Sequence, residues 1–211
     1  MKGARYASTA RNVALLTAIL VAAQSGGMAQ EAIQSAFDPI QIPSGGRPLS
    51  IERLADIPRQ LNAAVGRVQC RVDDDMLKDK PVLIFRPADG YRVMAVVPCQ
   101  AIVFYSRAFV FEHSIESEPS PMTFPVIAPS GGFSASDMPG LISWDPESKT
   151  ITAWRGNDYC PAREIRYSYR QGGGELNGFA LVRVEYRDVR CGAPEAEWRT
   201  AWQASPWNVL Q

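Results

Sequence analysis

The chain of 211 residues has a single histidine, His113. Nucleophilic catalysis by serine or cysteine needs a neighbouring base, most often histidine. His113 stands between Glu112 and Ser114 at the end of an apolar run, where it reads as a strand-end residue facing solvent. No Cys-x-x-Cys occurs, and four cysteines with one histidine do not fall into zinc-ligand spacing, so neither a metal nor a cofactor is expected. No block of Lys or Arg is present to displace the counterions of a nucleic acid, and nucleic acid binding is not expected. The triple glycine Gly172-Gly173-Gly174 is not followed by the lysine and serine or threonine of a phosphate loop; it reads as a hairpin tip.

Long apolar runs are also missing. Val13 to Ala23 is apolar over 11 residues, short of the roughly 20 needed to span a bilayer. Lys2, Arg5 and Arg11 precede it without an acidic residue, and Gly27-Met28-Ala29 follows with small residues at the −3 and −1 positions of a cleavage site. Residues 1–29 therefore read as a secretory signal peptide, and no transmembrane segment is expected after its removal. That segment holds three positive charges and no negative one, so the remaining 182 residues carry 19 basic against 22 acidic groups, a net of −3.

Four cysteines, Cys70, Cys99, Cys160 and Cys191, are an even number in a chain read as exported, which favours disulfides. Three connectivities are possible. Cys70–Cys99 and Cys160–Cys191 are preferred because each closes a local loop.

Along the chain, residues 30–48 carry Pro39, Pro43, Gly45, Gly46 and Pro48 and read as a flexible lead-in. Residues 49–207 read as one β-rich domain. Ser50 is a candidate helix cap, and Ile51, Leu54, Leu61 and Val65 form a helical stripe divided by Pro58. A short turn and then a helix from about Arg59 to Val65 are expected. Asp73-Asp74-Asp75 lacks the alternation, glycine and distal glutamate of a calcium loop and reads as a solvated turn. Strands are expected at Val82–Phe85, at Tyr91–Val97 up to a break at Pro98-Cys99, and at Ala101–Phe111, the best candidate for a central strand. Residues 113–136 are rich in proline and serine and read as a long connection with one edge strand at Phe124–Ile127.

The last third organises the domain. Leu141–Trp144 and Thr150–Trp154 flank Asp145-Pro146-Glu147-Ser148-Lys149 as a hairpin, with Trp144 and Trp154 placed to stack across it. Arg163–Arg170 alternates, with Ile165, Tyr167 and Tyr169 on one face. Phe179–Val189 alternates again, with Phe179, Leu181 and Arg183 opposite Ala180, Val182, Val184 and Tyr186. Trp198, Trp202 and Trp207 follow at helical spacing or on a last strand. The fold class is α+β, mostly β: an antiparallel sheet of hairpins with a short N-terminal helix and two local disulfides.

Asp145-Pro146 in a tryptophan hairpin, then Arg155-Gly156, Asp158 and Cys160, then a strand pair, Cys191-Gly192 and Trp198, resemble the second half of an exported bacterial family known as domain of unknown function 1176. Val97-Pro98-Cys99 after Cys70 extends the resemblance upstream, so that it covers about Ile57 to Ala204. Gln100-Ala101-Ile102-Val103 stands where the family carries a Gly-Ala-Tyr-Asn segment, and the family's preceding half has no counterpart. The resemblance implies the same cysteine pairing and an envelope location, and no activity.

Aromatic residues with arginine dominate binding hot spots. Trp198, Trp202, Arg155, Arg163 and Arg166 are the candidate binding residues, and no catalytic residue is assigned. The expected function is a non-enzymatic binding module, periplasmic or secreted from a bacterium, whose partner is an envelope protein or glycan. The alternatives are a hydrolase of envelope polymer working through two of Asp158, Glu164, Glu175, Glu185 and Asp188, and, by analogy alone, an inhibitor of a lytic enzyme. A cleft holding two carboxylates about 5–10 Å apart favours the hydrolase; a flat patch of aromatics and arginines favours binding.

Overall fold

A computed structural model describes residues 37–43, 47–87, 92–100, 104–111, 116–156, 162–171 and 179–205. Twelve strands and two α-helices are found there: β1 Leu49–Ile51, α1 Arg59–Arg67, α2 Asp74–Asp79, β2 Val82–Phe85, β3 Val93–Gln100, β4 Phe104–Phe111, β5 Ser120–Pro121, β6 Phe124–Ile127, β7 Phe133–Ser136, β8 Leu141–Asp145, β9 Thr150–Arg155, β10 Ala162–Gln171, β11 Phe179–Val189 and β12 Arg199–Gln203. All pairings are antiparallel. The first sheet has the order β1-β2-β3-β4-β5 and the second β12-β11-β10-β9-β8, while β6 and β7 form a separate hairpin.

The central strand β3 explains the layering. Val93, Ala95, Val97 and Cys99 point to one side and pack with Leu61, Ala64 and Val65 of α1 and Leu77 of α2. Met94 and Val96 point to the other and pack with Ile151, Ala153, Tyr167, Tyr169 and Val184 of the second sheet. A strand buried on both faces needs an unbroken apolar run, and Val93-Met94-Ala95-Val96-Val97 supplies one. The result is helices, sheet, sheet. The two sheets meet where the Ser106 amide of β4 donates to the Gly140 carbonyl just before β8.

The mostly-β class and the short N-terminal helix are found as expected. Several local readings change. Ser50 lies in β1 and caps no helix; the short turn is Leu54–Asp56 and the helix begins after Pro58. Asp73 is an N-cap, accepting from the Met76 amide at 2.8 Å and starting α2. β3 does not break at Pro98 but runs through Cys99 to Gln100. The Gln100 amide donates to Arg71 on the edge away from β4; Pro98, two residues earlier, points its missing N–H to that same edge, past the last β2 partner at Val96. The connection 113–136 holds β5 and a full hairpin, β6–β7, whose Phe124 and Val126 enter the core.

Part of the expected lead-in is docked. Ile40 is buried, and Asp38 accepts from the Arg59 amide and side chain. Cys70 and Cys99 are disulfide-bonded. Cys191 is also disulfide-bonded, but its expected partner Cys160 lies outside the described residues. So do His113, the triple glycine, Asp158, Glu175 and Trp207.

Candidate functional site

The second sheet carries the residues of interest, and its register sorts them between two faces. On β10, Ile165, Tyr167 and Tyr169 point to the core, so Glu164, Arg166 and Ser168 point outward. On β11 the expected alternation fails at Val182. A bulge there sets Leu181 opposite Tyr169 and Arg183 opposite Ser168, which turns Val184 inward and Arg183, Glu185 and Arg187 outward. Arg183 therefore does not share a face with Phe179 and Leu181.

Trp144 and Trp154 do not stack. Trp144 pairs with Ile151 and Trp154 with Leu141, so they lie on opposite faces. Trp144 stacks inward on Phe85, with centroids 4.7 Å apart and planes at 10°. Trp154 faces outward and its indole N–H donates to Glu164 at 3.4 Å.

On the outer face, Glu164 lies directly opposite Arg187, and Arg166 opposite Glu185. Acid and base alternate along each strand in opposite order, so the four side chains form two crossed ion pairs. Arg166 donates to Glu185 at 2.8 Å, as does Arg183. Arg187 joins Glu164 and also Glu195. Those two hydrogen bonds hold the Arg187 pKa above its usual value. Trp198 covers the quartet, its ring centre 4.4 Å from the Arg166 guanidinium carbon and 4.8 Å from that of Arg187. Glu164 and Glu185 are 8% and 4% exposed as a result.

This arrangement bears on catalysis by paired carboxylates. A general acid must hold a proton within reach of a leaving group. Glu164 and Glu185 each accept from two donors, on a sheet face that Trp198 covers. Asp188 is bonded to Arg163 at 2.8 Å. A concavity of about 670 Å³ lies elsewhere, lined by Ile40, Leu49, Ile51, Glu52, Arg53 and Asp56 among others.

The inner face projects beyond the core at one end of the sheet. Arg155, Ile165, Tyr186 and Arg199 form one transverse row across β9, β10, β11 and β12. Arg163 and Asp188 form the next row toward the strand ends. Arg155, Arg163 and Arg199 are exposed, as is Arg190 just past β11. Arg163 lies over the Tyr186 ring at 4.9 Å. The Arg163 hydrogen bond holds the Asp188 carboxyl below the usual carboxylate range, and the charges of Arg199 and Arg190 add to this.

The five sequence candidates thus divide. Arg166 and Trp198 meet on the outer face; Arg155 and Arg163 share the inner one. Trp202 is also inward-facing, packed beside Val184 and edge-on to Phe133 at 5.2 Å. Sequence reasoning missed Arg183, Arg187, Glu195, Tyr186, Arg190 and Arg199. The complementary patterns Glu164-x-Arg166 and Arg183-x-Glu185-x-Arg187 were the available signal for the crossed pairs.

Among the described residues, no cluster of three or more His, Cys, Asp or Glu side chains is placed to hold a metal ion, and no helix is long and apolar enough to cross a membrane. By its fold the chain is a two-sheet antiparallel β protein with helices on the outside of the first sheet. Comparison with family models, with curated proteins and with solved structures gave no match.

Proposed function

We propose that the chain is an exported cell-envelope protein that works as a non-enzymatic binding module, and that it belongs to the exported family known as domain of unknown function 1176. The leader pattern of residues 1–29 supports export. The Cys70–Cys99 bond fits an oxidising compartment outside the cytoplasm. The family assignment rests on the cysteine, Asp-Pro and tryptophan motifs of the second half of the chain.

One observation carries the binding reading. The second sheet spends its two buried carboxylates, Glu164 and Glu185, on internal ion pairs, while Arg155 and Arg199 stand exposed in one row with Tyr186, and Arg163, paired with Asp188, lies over the Tyr186 ring. Carboxylates locked in this way serve structure, and arginine beside an aromatic ring is the pairing enriched where proteins bind their partners.

The test incubates the mature chain, from Gln30 onward, with insoluble envelope material of a bacterium. Retention and release of soluble fragments are followed together. Retention without release is expected. Release that stops on Glu164→Gln or Glu185→Gln, in variants that keep the wild-type fold by circular dichroism, overturns the reading in favour of a hydrolase. Absence of retention overturns it outright.

A further inference from the structure

The first sheet ends in a strand whose outer edge is open: β1 pairs with β2 on one side, and no described strand lies on the other. The direction of its backbone groups can be traced across the sheet. The Gln100 amide donates to the Arg71 carbonyl and so points away from β4. Val96 and Met94 alternate with it in phase and direct their N–H and C=O groups the same way, onto Leu83 and Phe85 of β2. Val82 and Ile84 therefore face β1 and bond to Ile51 and Leu49. Ser50, between those two, turns its N–H and C=O out of the sheet. It is exposed, and among the described residues neither group has a partner.

A groove runs along that edge. It is the concavity of about 670 Å³, lined by residues 49–53 and by Pro39, Ile40 and Gln41. Those three are fixed in place, because Asp38 accepts from the Arg59 amide and side chain and Ile40 is buried in the core. They wall the groove without bonding to β1. The space beside β1 thus admits one extended chain and not the edge of a second sheet, which argues against another copy of β1 as the occupant.

We infer that this groove binds an extended peptide segment of a partner protein, added to the first sheet as a strand antiparallel to β1. A paired donor and acceptor on a sheet edge is matched by another backbone. The register sets the side chains. The peptide residue opposite Ser50 exchanges two hydrogen bonds with it and, beside that exposed serine, is polar. Its neighbours stand beside Leu49 and Ile51, on the face that packs with Ile40 and α1, and are apolar. The next residue toward the peptide N-terminus lies beside Glu52. That carboxylate is exposed and the adjacent Arg53 is taken by Asp56, so a basic residue there completes the charge. This site is separate from the second sheet and stands or falls apart from retention on envelope material.

The probe is acetyl-Lys-Val-Thr-Val-Thr-amide, titrated into the mature chain and followed by amide NMR. The Ser50 resonance is expected to shift and its hydrogen exchange to slow. Methylating the nitrogen of the central threonine removes the donor to Ser50 and should weaken binding about tenfold or more. Glutamate in place of the lysine should also weaken it, less so as salt rises. In the protein, Ser50→Pro deletes only an outward-pointing N–H, which an edge strand tolerates, and should lose about tenfold; Ser50→Ala should bind as the wild type does. Should Ser50→Pro fail to fold, the methylated peptide on the wild-type chain decides. No shift at Ser50, equal binding of the methylated peptide, or equal loss in Ser50→Ala and Ser50→Pro overturns the proposal. Dimerisation of the peptide-free chain by sedimentation that Ser50→Pro abolishes assigns the groove to a second copy and overturns it as well.

Discussion

Arg187 faces Glu164 directly across the β10–β11 ladder, and the two side chains are 15% and 10% exposed. A charge pair this far from water is held by mutual attraction and by its extra hydrogen bonds, here from Trp154 to Glu164 and from Arg187 to Glu195. Removing one partner strands the other. Arg187→Met is expected to cost about 3 kcal/mol of folding stability, whereas Glu164→Leu with Arg187→Met should cost less than Arg187→Met alone. Urea unfolding of the two single variants and the double one measures the coupling. Additive losses would mean that the pair is not coupled.

Trp144 carries a second stability prediction. Its ring is stacked on Phe85 and met edge-on by Phe179, yet its N–H is buried without an acceptor among the described residues. An unsatisfied donor is a cost that phenylalanine would not carry. Trp144→Phe should therefore destabilise by less than about 1.5 kcal/mol, against about 3–5 kcal/mol for Trp144→Ala. Thermal melts of both variants check the contrast.

The faces of these tryptophans were legible in the sequence, had the turn been counted. Asp145 pairs with Thr150 around a four-residue turn, which puts position 144 beside 151 and position 154 beside 141. Side chains alternate along a strand, so Trp144 and Trp154 could not share a face. The bulge at Val182 was not legible, because Ala180, Leu181, Val182 and Val184 are apolar in both phases of the alternation. Nor was the passage of β3 through Pro98, which depends on where β2 begins. The Asp73 cap was visible as an aspartate opening a short amphipathic run. The pairing of Arg163 with Asp188 needs the register between β10 and β11, and the segment joining them, residues 172–178, is too long to fix it by counting. Arg166 and Trp198 are brought together only by the tertiary path of residues 194–198.

Gly140 sets the junction between the sheets. Its φ is +136°, and a Cβ there would lie 2.3 Å from the Trp154 carbonyl oxygen. Both the backbone angle and the close approach exclude an ordinary side chain. Gly140→Ala should cost about 2–3 kcal/mol, with hydrogen exchange rising first at the Ser106 amide that bonds Gly140. An unchanged exchange rate at Ser106 would contradict the junction.

Cys70 and Cys99 are 29 residues apart and tie the segment between α1 and α2 to the end of β3. Closing a loop of that size contributes about 3–4 kcal/mol by restricting the unfolded chain. The Cys70→Ser, Cys99→Ser variant is expected to unfold at correspondingly lower urea while keeping the same sheet signal by circular dichroism. Loss of the sheet signal in water would show that the bond is required for the fold, beyond its entropic contribution.

Tyr167 and Tyr169 give the fold an alkaline limit. Burial raises the pKa of both phenols above their usual value, and for Tyr169 the neighbouring Tyr167 adds to the effect. The Tyr169 hydroxyl donates to the Pro125 carbonyl at 2.9 Å, which requires the protonated form. An unfolded tyrosine ionises near pH 10. Below that value both states keep the proton and the stabilisation is fully present. As pH rises from 10 toward the raised folded values, the unfolded state releases protons that the folded state retains, and stability falls. Denaturant unfolding from pH 8 to 11 should therefore be flat up to about 9.5 and decline beyond it. Tyr169→Phe should lower stability at pH 8 by about 1 kcal/mol, the net value of the lost hydrogen bond, and should lessen the decline above pH 10. A decline equally steep in that variant would place the alkaline limit elsewhere in the chain.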